Sequence, residues 1–202
     1  MFMQKIDNKI PVSETRISSR DKLVDSAQRL LRENGYQATG IKEILDDSKV
    51  SRSNLYYHFT TKRSLAEAVI SVWHANLQYV FKDALGQGAN YRQQVDSFVQ
   101  IFIDIQTSDP FAVCPFGRLA LELGDKEPVL RNLINKVFSE FQEEVTKLIE
   151  KGIEAGEFKP ETNPASLANA LLVAIEGGIV LSRAQGSVEA MTTACRYILD
   201  NA

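Results

Sequence analysis

The chain reads as an all-α protein of about nine helices. Apolar residues recur at three- and four-residue spacing from Leu23 onwards, and no stretch alternates apolar and polar residues as a half-buried strand would. Glycine, proline and serine punctuate these runs at helix-length intervals. With 202 residues, 44% hydrophobic and 24% charged, the chain can bury a core as one domain or two small ones. It contains no internal repeat.

Residues 1–17 have no clear period, contain Pro11 and are expected to form a mobile arm. A serine-capped helix starts at Ser18 or Ser19, carries Leu23, Ala27, Leu30 and Leu31 on one face, and stops at Asn34-Gly35. Residues 39–62 then form two short helices around a tight turn. Thr39 is placed to cap the first, in which Ile41, Ile44 and Leu45 fall at i, i+3 and i+4. Val50 plugs the corner, Ser51 caps the second helix, and Leu55 and Phe59 face inward. Arg52, Ser53, Asn54, Tyr56, Tyr57 and His58 are left on other faces, and no acid occurs from Ser48 to Ala66. An acid-free, polar and aromatic face suits an anionic groove. Residues 39–62 therefore read as a helix-turn-helix with 51–58 as its recognition helix.

A long helix follows Lys62, with Leu65, Val69, Val72, Trp73, Val80 and Phe81 at helical spacing up to Gly86. The 86–90 loop lacks the preceding strand and third glycine of a dinucleotide-binding turn. Residues 91–108 form an amphipathic helix (Val95, Phe98, Val99, Phe102, Ile105), 111–116 an apolar break and 117–123 a short helix. Beyond the 124–128 turn, Leu130, Ile134, Val137, Phe141, Val145, Leu148 and Ile149 hold one face of a long helix that runs to Gly152 or Gly156. The last two helices are expected near 164–185 and 187–201. The first is rich in small residues, and Gly177-Gly178 permits close approach of another helix.

Charge divides the chain. Residues 1–63 hold 12 Lys+Arg against 8 Asp+Glu, and residues 64–202 hold 11 against 18. A basic first third on an acidic remainder suits a DNA-contacting domain joined to one that avoids DNA. No apolar run is expected to reach the length of a membrane span, and the first residues lack the apolar core of a signal peptide, so a soluble cytoplasmic protein is expected. Cys114 and Cys195 make neither a metal spacing nor a disulfide framework. With two histidines, His58 and His74, and no Ser/His/Asp order or phosphate loop, neither an enzyme nor a cofactor or metal site is expected.

The run Gly35-Tyr36-x-x-Thr39-x-Ile41-x-x-Ile44, followed by Val50-Ser51-Arg52-x-x-Leu55-Tyr56-Tyr57-His58-Phe59-x-x-Lys62-x-x-Leu65, resembles the DNA-binding domain of the TetR family of repressors. Leu45 stands where the family usually has a small residue, and Lys49 where it has a glycine. Lys49 is therefore expected at positive φ, at a cost of ~1 kcal/mol. Carried over position by position, the resemblance implies that Arg52, Ser53 and Tyr57 contact bases or the groove. It implies that Thr39, Asn54, Tyr56, His58 and Lys62 clamp the backbone. Arg52 has the reach for guanine O6 and N7, with Ser53 and Asn54 as shorter readers.

Residues 64–202 resemble the family in layout. The resemblance implies a homodimer through the helices near 164–185 and 187–201, with recognition helices roughly 34–36 Å apart on a double-stranded operator. Cys114-Pro115-Phe116-Gly117-Arg118-Leu119-Ala120-Leu121-Glu122-Leu123 is similar to a Cys-Pro-x-Gly-x-Leu-Ala-x-Glu-Leu pattern found beside the inducer pocket in part of the family. The implied pocket is lined by Trp73, Phe102, Phe111, Phe116, Phe138 and Phe141, with His74, Glu122, Glu176 and Arg183 as polar candidates. The domain reading is an arm over 1–17, a DNA-binding domain over 18–64 and a ligand-binding and dimerisation domain over 65–202. The function implied is a repressor released by a small-molecule inducer. Two alternatives stand beside it. One is a redox or electrophile sensor switching through Cys114 with help from Arg118, and the other is a helical ligand-binding adaptor without DNA contact.

Overall fold

The computed structural model describes residues 18–85 and 88–202, which hold nine α-helices and no strand. In chain order these are α1 (Ser19–Asn34), α2 (Ile41–Ser48), α3 (Arg52–His58), α4 (Lys62–Leu85) and α5 (Tyr91–Ser108), then α6 (Pro115–Leu123), α7 (Pro128–Glu154), α8 (Pro164–Gln185) and α9 (Glu189–Asp200). The arm expected over 1–17 lies outside the described residues, as do the first two residues of the 86–90 loop.

Local chemistry sets most boundaries. Ser18 caps α1, its hydroxyl accepting from the Asp21 N–H while the Asp21 carboxylate accepts from the Ser18 N–H. Ser51, Asn90 and Asn163 cap α3, α5 and α8 in the same sense, each accepting from the N–H three residues on. The helices α6, α7 and α8 each begin on a proline, whose fixed φ and missing N–H suit a first helical position. This starts α6 two residues before the expected Gly117.

Thr39 does not cap α2. Gly40 takes that position, its N–H donating to the Glu43 carboxylate at 2.8 Å. The Thr39 hydroxyl turns back instead, donating to the carbonyls of Gly35 (2.7 Å) and Leu30 (3.1 Å) at the end of α1. A threonine ahead of an apolar run fits a cap and an internal tie alike, and here the tie is the one made. Lys49 sits at φ 56°, ψ 25°, the left-handed conformation that its place in the turn requires.

The described chain forms two compact units. One comprises the segment through Asn76 together with Pro115–Lys136, and the other Leu77–Cys114 with Val137–Ala202. Compactness divides the chain within α4, after Asn76. It assigns α6 and the start of α7 to the unit that holds the helix-turn-helix, and it divides α4 between the two.

In the first unit Leu23, Ala27, Ile44, Leu55, Leu65, Val69, Ile70, Leu119, Leu123 and Leu130 are buried. In the second, a core is built on Val95, Phe98, Val99, Val145, Ile149, Leu171, Ile175, Met191 and Cys195. Phe98 is its aromatic centre, with Phe81, Phe102 and Phe141 at ring-centroid distances of 4.8, 5.0 and 4.9 Å.

The helix α8 corrects one expectation. By length and composition it is apolar enough to cross a membrane. One of its faces is buried in the second unit, where Gly178 meets Met191 of α9.

Candidate nucleic-acid interface

The recognition helix is built from the inside outward. The α3 helix has seven residues, too few to persist alone. Leu55, fully buried, and Phe59, just beyond the last turn, fix it to the domain, and Ser51 satisfies its N-terminus through the Asn54 N–H. The guanidinium of Arg20 in α1 lies over the Phe59 ring at 5.5 Å.

With two anchors turned in, Arg52, Ser53, Asn54, Tyr56, Tyr57 and His58 are all exposed. Tyr57 is 83% exposed and Tyr56 47%, values that exclude a packing role for Tyr57 and leave Tyr56 straddling the edge. The Tyr57 and His58 rings meet edge-on at 5.0 Å, which orients both without burying them. Ser53 shares a hydrogen bond with Ser51 at 3.0 Å. The face thus offers one guanidinium, short hydroxyl and amide groups, two phenols and an imidazole, with no carboxylate on the helix. Such a set can bond phosphates and base edges.

Two predicted contacts have other surroundings. Thr39 is fully buried and its hydroxyl is committed to α1, so its side chain is not part of the exposed face. Lys62, half-buried at the start of α4, has its ammonium 4.3 Å from the centre of the Tyr36 ring. Burial lowers its pKa, and the nearby carboxylates of Glu122, Glu43 and Glu127 oppose that shift.

Tyr36 is itself held. Its hydroxyl donates to Glu127 at 3.2 Å, and burial with the adjacent Glu127 charge pushes the phenol up to about 12. The N–H groups of Tyr36 and Gln37 both donate to the Glu122 carboxylate, at 2.7 and 3.2 Å, and the Gln37 side-chain amide donates to the Glu122 carbonyl. Arg118 pairs with Glu122 at 3.1 Å and donates to the carbonyls of Arg32 and Glu33 at the end of α1.

The residues predicted to line a ligand pocket are shared between the two units. Trp73, His74, Phe116 and Glu122 belong to the first unit. There Trp73 is buried and meets Phe116 edge-on at 6.1 Å, with the Arg32 guanidinium 5.8 Å from its ring centroid. Phe102, Phe111, Phe138, Phe141 and Glu176 belong to the second, where Phe102 and Phe141 join the Phe98 cluster. Phe111 is 60% exposed, and its carbonyl accepts from Arg183. Burial pushes the Glu176 carboxyl up, and a hydrogen bond from the Cys114 thiol offsets part of that. Cys195 is fully buried, which raises its thiol pKa. Helical spacing had marked these aromatics as facing inward, but it carries no information on which interior each one enters.

Two stretches of the chain match family models. Residues 23–69 match the model described as "Bacterial regulatory proteins, tetR family", and residues 91–198 match "Tetracyclin repressor-like, C-terminal domain". The HTH-type transcriptional repressor DhaR of a Mycobacterium species is 25% identical over 167 residues, spanning 82% of each chain. The HTH-type transcriptional regulator LmrA of Bacillus subtilis is 26% identical over 167 residues, 81% of this chain and 86% of the relative. A crystal structure of a TetR transcriptional regulator from Chloroflexus aurantiacus superposes with a TM-score of 0.82 at 25% identity, covering 90% of this chain and 92% of that one.

Proposed function

The chain belongs to the TetR family of bacterial transcriptional regulators, and from that premise we propose that it is a cytoplasmic repressor that binds a twofold operator as a homodimer and is released by a small-molecule inducer. The observation that carries this reading is the division of labour in α3. Two residues anchor the helix and six face outward, with no carboxylate among them.

Arg52, at the first turn, has the length and the fork for a guanine edge, while Ser53 and Tyr57 read the groove beside it. Asn54, Tyr56, His58 and Lys62 suit the phosphate backbone. Pairing is supported by α8 and α9. Val173, Val180 and Tyr197 are each more than 60% exposed, and Gly177 lies on the same α8 face as Val173 and Val180 with no atom within 4 Å of its ideal Cβ. An apolar stripe of this kind fits a second copy of the chain better than water. An inducer binding the DNA-incompetent state more tightly would release the operator, and a coupling of ~1–3 kcal/mol corresponds to roughly 5–150-fold weaker DNA binding.

The ligand reading is favoured over a thiol switch. A reactive cysteine needs a cationic neighbour. The Cys114 thiol is hydrogen-bonded to the Glu176 carboxyl, and Arg118 is committed to Glu122 and to two backbone carbonyls.

The test is binding to genomic fragments that include the gene's own upstream region, at two salt concentrations, by wild type and Arg52→Ala. Selective binding that weakens with salt in the wild type and is lost by ~1–3 kcal/mol in the variant establishes the reading. Indifferent binding by both proteins sinks it in favour of a helical adaptor.

A further inference from the structure

The Glu122 carboxylate has no role in the DNA-reading face, yet both of its oxygens are engaged. One of its oxygens accepts two successive backbone N–H groups, from Tyr36 and Gln37, and the other takes the guanidinium of Arg118. Successive N–H groups turned to one side make a small anion-binding concavity, and here the anion is a side chain 86 residues away in sequence. Gly35 makes the approach possible, because an ideal Cβ at that position would stand 1.8 Å from Glu122 Oε1. The backbone of Gly35, at φ +86°, also leaves the concavity open.

The segment bound in this way is the connection from α1 to α2. It ends at Thr39, tied to α1, and at Gly40, the cap of α2. Arg118 holds the other side of the same corner through the Arg32 and Glu33 carbonyls, which α1 leaves open at its end. Tyr36, whose N–H is in the clasp, is also the ring on which the Lys62 ammonium rests.

We infer that Glu122, with Arg118, is a positioning residue for operator recognition: it fixes the α1–α2 corner, and through it the placement of the helix-turn-helix and of Lys62, without touching DNA. This rests on the DNA-reading function proposed above. A charge beside the interface and a clasp on the backbone act in different ways. Loss of a nearby negative charge raises affinity for every DNA sequence, whereas loss of placement lowers affinity most for the chosen sequence.

Glu122→Ala and Glu122→Gln separate the two effects, since both remove the charge and only Gln keeps an oxygen for the Tyr36 and Gln37 N–H groups. The readout is the ratio of affinities for the upstream fragment that the wild type selects and for a scrambled duplex of equal length. It is measured well below each variant's melting temperature, with helicity checked in parallel. In Glu122→Ala the ratio is expected to fall about 10-fold, with binding to the scrambled duplex undiminished. In Glu122→Gln it is expected to stay within about threefold of wild type. Equal ratios in Ala, Gln and wild type, with wild-type selectivity intact, overturn the inference and leave the DNA-reading function standing. Should Glu122→Ala fail to fold, Arg118→Ala takes its place, with the same fall expected and an unchanged ratio counting against the inference. Loss of selectivity in the wild type itself overturns both.

Discussion

Gly35 and Glu122 occupy one space: the carboxylate of Glu122 fills the volume that any side chain at residue 35 would need, 1.8 Å from its ideal Cβ. Gly35→Ala therefore combines a positive-φ penalty with displacement of the clasp, and a loss of roughly 2–4 kcal/mol is expected in urea unfolding. In a Glu122→Ala background the overlap with the carboxylate is removed. The same substitution is then expected to cost less, about 1–3 kcal/mol, from a backbone conformation at φ 86°, ψ 176° that side chains avoid.

Lys49 bears a conformational cost without steric benefit. It adopts φ 56° with its ammonium bonded only to the nearby Asp46 carbonyl at 2.7 Å, an exposed contact. Lys49→Gly is expected to raise stability by up to ~1 kcal/mol, seen as a higher Tm with the DNA-binding face unchanged.

Adjacent glycines in α8 should behave oppositely. A Cβ at Gly178 would lie 2.5 Å from Met191 Cγ and 3.0 Å from its Cα, whereas one at Gly177 meets nothing within 4 Å. Gly178→Ala is expected to lose ~1–3 kcal/mol in thermal unfolding. Gly177→Ala is expected to gain up to ~1 kcal/mol within the chain from helix propensity. Gly177→Leu tests the proposed pairing face, and sedimentation at fixed concentration should show a weakened dimer.

Tyr36 makes alkaline stability measurable. Its phenol, ordinarily near 10, is held up to about 12 by burial and by Glu127. A raised pKa in the folded state favours the protonated form. The contribution is therefore full below the unfolded value of 10 and is lost as pH rises towards 12. Unfolding free energies on the two sides of this window should differ by on the order of 2 kcal/mol more in wild type than in Tyr36→Phe.

Glu176 acts at the other end of the scale. Burial raises its carboxyl above the ordinary 4.5, so the folded state prefers the neutral acid. Stability from this group is present at acid pH and is lost as pH rises through the raised value. Glu176→Gln is expected to flatten that loss and to be the more stable protein at neutral pH in denaturant titrations.

The sequence was most legible where one residue's chemistry was enough to decide a local outcome. Ser51 as a cap and Leu55 and Phe59 as anchors follow from their immediate neighbours, Lys49 at positive φ follows from the glycine that the resemblance puts in that turn, and the structure has them so. Thr39 suited a cap and a backward tie alike, and only the fold shows its hydroxyl on the Leu30 and Gly35 carbonyls. Glu122 was illegible for a stronger reason. On its own helix it is an acid one turn after Arg118, and nothing local shows that its partners lie at Tyr36 and Gln37. Which unit each aromatic belongs to, Trp73 and Phe116 in one and Phe102 and Phe141 in the other, was illegible for the same reason, since periodicity reports a buried face and not what that face is buried against.

The short α3 helix has a consequence for how operator preference changes over evolutionary time. Its stability resides in Leu55, Phe59 and the Ser51 cap, while the six outward residues contribute little to holding the helix in place. In the proposed DNA-reading role, a substitution among those six would alter what is read without loosening what holds the reader. The vocabulary of this protein can be rewritten one word at a time, with each intermediate still folded.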